Sequence, residues 1–142
     1  MAISARNVFA GTVREIREGA VNAEVSLSVG GGDIIVATVT LDSLTALGLA
    51  AGKAVTAYIK APSVMLVTGD DSTKYSARNH LKGSVAEVKT GAVNSEVVVK
   101  LAGGHDVKAI VTNEAVSELG LSAGSAAGVL FKAGSVILGV SA

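Results

Sequence analysis

Val21-Asn22-Ala23-Glu24-Val25-Ser26-Leu27-Ser28-Val29 alternates apolar and polar residues without a break. Side chains of an extended chain point to opposite faces in turn, so the stretch reads as a strand with one buried face and one solvated face. Gly30-Gly31-Gly32-Asp33 follows, and glycine supplies the positive φ that a hairpin turn needs. A third strand then runs to about Thr40, with Ile35, Ala37 and Val39 inward. Upstream, Asn7 to Arg17 reads as the first strand. Downstream, Asp42 to Leu47 reads as a short helix with Leu44 and Leu47 on one face and Gly48 placed to stop it. Ala51-Gly52-Lys53 turns into a fourth strand, Ala54 to Lys60, and beyond Pro62 a fifth spans Ser63 to Val67. Three strands, a short helix and two more strands is the order of an OB-like barrel, a partly open Greek-key fold.

The same series then returns. Ser4-Ala5-Arg6-Asn7 recurs as Ser76-Ala77-Arg78-Asn79, and Gly19-Ala20-Val21-Asn22 as Gly91-Ala92-Val93-Asn94. Glu24-Val25 recurs as Glu96-Val97, Leu47-Gly48-Leu49 as Leu119-Gly120-Leu121, and Lys60-Ala61-x-Ser63-Val64 as Lys132-Ala133-x-Ser135-Val136. One constant offset relates all of these pairs without a gap, which marks a tandem duplication. The buried face of the second strand is kept as Val93, Ser95, Val97, Val99 and Leu101. The expected fold is therefore all-β: two tandem OB-like five-stranded barrels, each with one short helix between strands three and four. The expected modules are residues 1–69 and 76–142, joined by a polar linker at 70–75. A module of this size buries little core alone, so assembly with the other copy and with other chains is expected.

Composition narrows the function. Lys and Arg together equal Asp and Glu, 12 against 12, so no long-range field draws nucleic acid or acidic membranes. Only Phe9, Tyr58, Tyr75 and Phe131 are aromatic, too few for the stacking platforms of single-strand-binding barrels. Cysteine is absent, which removes disulfides and thiolate chemistry. His80 and His105 have no metal-ligand spacing and read as surface residues. No nucleophile–base pair or carboxylate dyad recurs in both copies, so an enzyme is not expected, and neither is a catalytic cofactor or a directly coordinated metal. The N-terminal residues lack a secretory pattern and no apolar run reaches a membrane span, so a cytoplasmic protein without a membrane partner is expected.

Ser-Ala-Arg-Asn, then Gly-x-Val-Asn-x-Glu-Val, then Lys-Ala-x-Ser-Val, in that order and twice over, closely resembles the molbindin family, whose modules are also called Mop or TOBE-like. The tandem arrangement is similar to that of its double-module members. The resemblance implies OB-like barrels that bind molybdate or tungstate in the cytoplasm at sites shared between modules, and assembly as a homotrimer. Related modules occur fused to a helix-turn-helix or to a transporter ATPase. This sequence shows neither a phosphate-loop motif nor a DNA-reading helix ahead of Ser4. Storage and homeostasis of molybdenum is the favoured role, and a sensor that signals to a partner protein is the alternative.

The residue types suit such a ligand. Molybdate is a compact dianion without a proton at neutral pH, so its site should present donors only. Arginine offers a rigid fork of donors, lysine a point charge, serine a rotatable hydroxyl, and the backbone its N–H groups. Ser4, Arg6, Lys60 and Ser63, with the Ala61 N–H, form this set in the first copy. Ser76, Arg78, Lys132 and Ser135, with the Ala133 N–H, repeat it in the second. By resemblance, Thr40 and Thr112 add a hydroxyl from a neighbouring subunit. Phosphate usually carries a proton at this pH, and a site without a carboxylate leaves that proton unpaired, at a cost of roughly 1–3 kcal/mol. Sulfate carries none, so only pocket size can exclude it.

Arg6 and Arg78 stand out from ordinary surface charges because the repeat retains them, whereas Arg14 aligns with Ala86 and Lys53 with Ser125. Ser4 and Ser76 can equally be turn formers. Asn7 and Asn79 are supporting candidates that bond the backbone and set the approach of the arginine. Glu24 and Glu96 read as structural, since a carboxylate repels a dianion. The turns Gly19-Ala20-Val21-Asn22 and Gly91-Ala92-Val93-Asn94 are candidates for a second anion site made of backbone N–H groups, with a plain tight turn as the competing reading.

Overall fold

A computed structural model describes residues 2–69 and 72–141. The first repeat supplies β1 (Asn7–Glu18), β2 (Asn22–Ser28), β3 (Ile34–Thr40), α1 (Leu41–Ala46), β4 (Ala54–Ile59) and β5 (Met65–Val67). The second supplies β6 (Asn79–Thr90), β7 (Asn94–Leu101), β8 (Asp106–Thr112), α2 (Asn113–Leu119), β9 (Ala126–Phe131) and β10 (Ile137–Gly139). A 3-10 turn, Ala61–Ser63 or Ala133–Ser135, precedes the last strand of each repeat. Ser63 and Ser135 thus sit in a turn rather than in a strand, because their amides donate to the Lys60 and Lys132 carbonyls at 2.9 and 3.0 Å.

The strands form two antiparallel five-stranded sheets, ordered β10-β4-β1-β2-β3 and β5-β9-β6-β7-β8. Two curled OB-like barrels result, as the sequence predicts, but each takes its fifth strand from the other repeat. Ile137, Leu138 and Gly139 pair with Tyr58, Ala57 and Thr56. Met65, Leu66 and Val67 pair with Leu130, Val129 and Gly128. Alternation tells which face of a strand is buried and says nothing about which neighbour it meets, so the exchange leaves no mark on the pattern.

The twelve-residue β1 serves two partners. Asn7 to Thr12 pair with β4, and Thr12 to Glu18 pair with β2, with a bulge between Val13 and Glu15. A bulge sharpens the twist and lets one strand turn the corner of a barrel. Gly11 lies just before it, where a Cβ would stand 2.4 Å from the Ser28 carbonyl oxygen. Gly83 holds the equivalent place in β6, with the Lys100 oxygen 2.3 Å from such an atom.

The alternating face of β2 is buried as expected at Ala23, Val25, Leu27 and Val29. Val21 departs from that expectation. It is 72% exposed, and Val93 is 70% exposed, because both precede the strand and sit in the turn that enters it. In the second copy Ser95 keeps its inward place, with its hydroxyl bonded to the Asn113 side chain. Phe9, Ile35, Ala37, Ala57 and Ile59 complete the first core beside Leu138, and Phe131, Val107, Ala109 and Val129 the second.

Candidate anion-binding site

A cavity of about 280 Å³ lies where the two repeats meet, lined by Thr38, Ser76, Ala77, Arg78, Lys132, Ala133 and Gly134. Four of the donor residues expected for the second copy, Ser76, Arg78, Lys132 and Ala133, therefore share one cavity. Two chain segments far apart in sequence meet there: the approach to β6 and the 3-10 turn ahead of β10. Thr38, from β3 of the first repeat, closes it. Among the described residues, no carboxylate lines it.

The meeting is enforced by a buried amide. Asn79 is 1% exposed. Its side-chain nitrogen donates to the Val36 carbonyl, and its oxygen accepts from the Val36 N–H, each at 2.8 Å. The side chain thus imitates a strand neighbour along the edge of β3. Asn7, 2% exposed, does the same to Lys108 on β8, at 2.8 and 2.7 Å. Both asparagines act between the repeats. Each has its oxygen and one N–H engaged by backbone, and each fixes the arginine that precedes it.

Those arginines reach across as well. Arg6 donates to Glu96 at 3.0 Å, and Arg78 donates to Glu24. The guanidinium groups are about half exposed, 49% and 53%, while Glu96 and Glu24 are 15% and 23% exposed. Exposed pairs of this kind contribute at most about 1 kcal/mol to stability. Their effect here is orientation: one edge of the fork is held and the remaining donors stay available.

Thr112 and Asn94 line a different, larger groove of about 780 Å³, together with Ser76, Ala77, Lys132 and many apolar side chains. Ser76 and Lys132 border both spaces. Thr40 and Thr112 also cap helices, since their hydroxyls accept from the Ser43 and Ala115 amides, each at 3.1 Å. In the first repeat Ser4, Arg6 and Lys60 are exposed, Ala61 is buried and Ser63 half-buried. The Gly19–Asn22 and Gly91–Asn94 turns are closed by the glycine amides, which donate to the Asn22 and Asn94 carbonyls at 2.8 Å. Those two amides are committed within the turn. His105 packs edge-on against Phe9, with its Nε2 3.3 Å from the Gly30 carbonyl.

Thr38 escaped sequence reasoning. It aligns with Ile110 and so lacks the repetition that marks the other donors. A site whose wall comes from the other repeat need not repeat that wall.

The model of the TOBE domain matches residues 3–66 and again 75–138. A solved structure of the cytoplasmic molybdate-binding protein ModG, with molybdate bound, is 55% identical with a TM-score of 0.95, covering 99% of this chain and 100% of that one. Molybdenum transport protein ModE of Azotobacter vinelandii is 44% identical over 140 residues, 99% of this chain and 52% of the relative. Molybdenum-pterin-binding protein MopA of Rhodobacter capsulatus is 43% identical over 138 residues, 97% of this chain and 52% of the relative. The chain thus spans about half the length of these curated relatives and the whole length of the structural one.

Proposed function

Since the chain belongs to the TOBE-domain family, as a tandem member of the molbindin type, we propose that it binds molybdate or tungstate in the cytoplasm and serves molybdenum storage and homeostasis. The cavity that joins Ser76, Arg78, Lys132 and Ala133 to Thr38 carries the reading. Its charged side chains are cations, its neutral polar ones are hydroxyls, and none of its lining residues is a carboxylate. A fully deprotonated tetrahedral dianion is the ligand that such a donor set satisfies. Phosphate would bring a proton with no acceptor among the lining residues, Glu24 being occupied by Arg78. The first-repeat set of Ser4, Arg6, Lys60, Ala61 and Ser63 is proposed to act in the same way. Binding is the whole activity proposed, without turnover.

The proposed assembly is a homotrimer. It is supported by the family resemblance and by the apolar groove that borders Ser76, where Met65 is exposed beside Val111. In the assembly Thr40 and Thr112 would add their hydroxyls from a neighbouring subunit. The sensor reading has one specific support: the chain is 40% identical over 136 residues to the transcriptional regulator ModE of Yersinia pestis, covering 51% of that relative. Storage predicts several ions per assembly with little change of shape, whereas sensing predicts a newly exposed surface on loading.

Calorimetry with molybdate, tungstate, sulfate and phosphate, paired with the mass of the assembly in solution, tests the proposal. The first two ions are expected to bind and the others to bind weakly or not at all. Arg78→Ala should weaken the second-repeat site by at least about tenfold, the worth of one charge-assisted hydrogen bond, and Arg6→Ala the first. Equal affinity for all four ions, untouched by either substitution, would remove the proposal.

A further inference from the structure

The surroundings of Arg78 and Arg6 are not copies of one another. Glu24, which holds Arg78, lies opposite Thr38 in the β2–β3 register. Glu96, which holds Arg6, lies opposite Ile110 in the β7–β8 register. The position that offers a hydroxyl at one site therefore offers a hydrocarbon wall at the other. Gly134 lines the Arg78 cavity, and the first repeat has Pro62 in its place, without an amide N–H.

Two residues along the same strand face, the inequality runs the other way. Val36, 9% exposed, stands where the second repeat carries the half-buried Lys108. The backbones are fixed alike, by Asn79 on Val36 and by Asn7 on Lys108. Equivalent strands are thus anchored equivalently, and only the chemistry they present differs.

Resting on the oxoanion reading above, we infer that the two sites of one chain hold their ion by different physics. The Arg78 site adds directed neutral donors, the Thr38 hydroxyl and the Gly134 amide, to its two cations. The Arg6 site lacks both and has a third cation near it instead, Lys108, whose backbone is bonded by Asn7, the chain neighbour of Arg6. Hydrogen bonds to an ion at contact are little affected by salt, whereas attraction from a long, partly solvated lysine is screened. Directed donors also select by shape, and a point charge does not. The Arg78 site is the selective one, and the Arg6 site is the salt-sensitive, permissive one.

The test isolates each site in the full chain. Arg6→Ala leaves the Arg78 site and Arg78→Ala leaves the Arg6 site, and each is titrated with molybdate in NaCl of about 0.01 M and about 1 M, where screening lengths are ~30 Å and ~3 Å. The Arg6 site should lose about tenfold more affinity across that range than the Arg78 site. Lys108→Val, which copies the other repeat, should abolish the excess loss. Thr38→Val keeps the branched strand residue and should weaken the Arg78 site about tenfold at both salt levels. Ile110→Thr, added to the Arg78→Ala chain, should strengthen the Arg6 site, and thermal melting of each variant confirms folding. Equal salt dependence of the two sites overturns the inference while leaving oxoanion binding intact, and so does indifference to Thr38→Val. Failure of the unsubstituted protein to take up molybdate removes the underlying reading and the inference with it.

Discussion

Asn79 concentrates much of what holds the candidate site. Its amide satisfies both backbone groups of Val36 at the rim of the first barrel while its own chain opens the second. Replacing it with alanine strands a buried N–H and a buried carbonyl, each worth roughly 1–3 kcal/mol. Asn79→Ala should therefore lower unfolding free energy by about 3 kcal/mol in urea titrations. It should also displace Arg78, its chain neighbour, from the cavity. A loss below about 0.5 kcal/mol would mean that water replaces the amide without cost. Repetition marks both asparagines in the sequence, and it marks the Ser-Arg-Lys set too, since other charges such as Arg14 and Lys53 are not kept in the second copy. The direction in which those asparagines reach was hidden. An amide that pairs with its own strand neighbour and one that pairs with the other repeat have the same sequence. Thr38 was hidden for the opposite reason, being present in one copy alone.

Among the elements, the long first strand of each repeat decides whether a barrel forms. It must pair with β4 at one end and β2 at the other, and the turn between those directions falls at Gly11 and the Val13/Glu15 bulge. Gly11→Ala places a methyl against the Ser28 carbonyl, well inside contact distance. The strand must then shift or lose its β2 pairing, and a cost of about 2–3 kcal/mol follows, at the upper end of overpacking effects. Gly83→Ala should cost the same, since the geometry repeats. Thermal unfolding of the two variants checks this, and an unchanged midpoint in either would show that the barrel corner lies elsewhere. Periodicity placed the strands within a residue or two but could not place the corner. A glycine in an apolar run signals close approach only once the approaching backbone is known. The helices were easier: Leu44 facing inward and positive φ at Gly48 and Gly120 follow from spacing and from glycine's freedom at a helix end.

At the scale of the molecule, the exchanged strands make each repeat depend on a second one. Each repeat lends its partner a short strand whose central leucine enters the other core: Leu138, 7% exposed, in the first barrel and Leu66, 9% exposed, in the second. Deprived of the other, a repeat loses an edge strand, a core leucine worth roughly 2 kcal/mol, and the asparagine bridge across its rim. The same exchange carries Lys132 and Ala133 to the cavity that Thr38 closes, because the 3-10 turn must pass over β3 to deliver β10 to β4. Cutting the chain between Gly69 and Ser72 should therefore leave the halves associated through gel filtration, with molybdate binding retained. Either half alone should pair with a second copy of itself, lending the same strand to the same place by pseudo-symmetry. A lone half that sediments as a fully folded monomer would show that β5 or β10 can fold back onto its own repeat, and that the link between strand exchange and site assembly is dispensable.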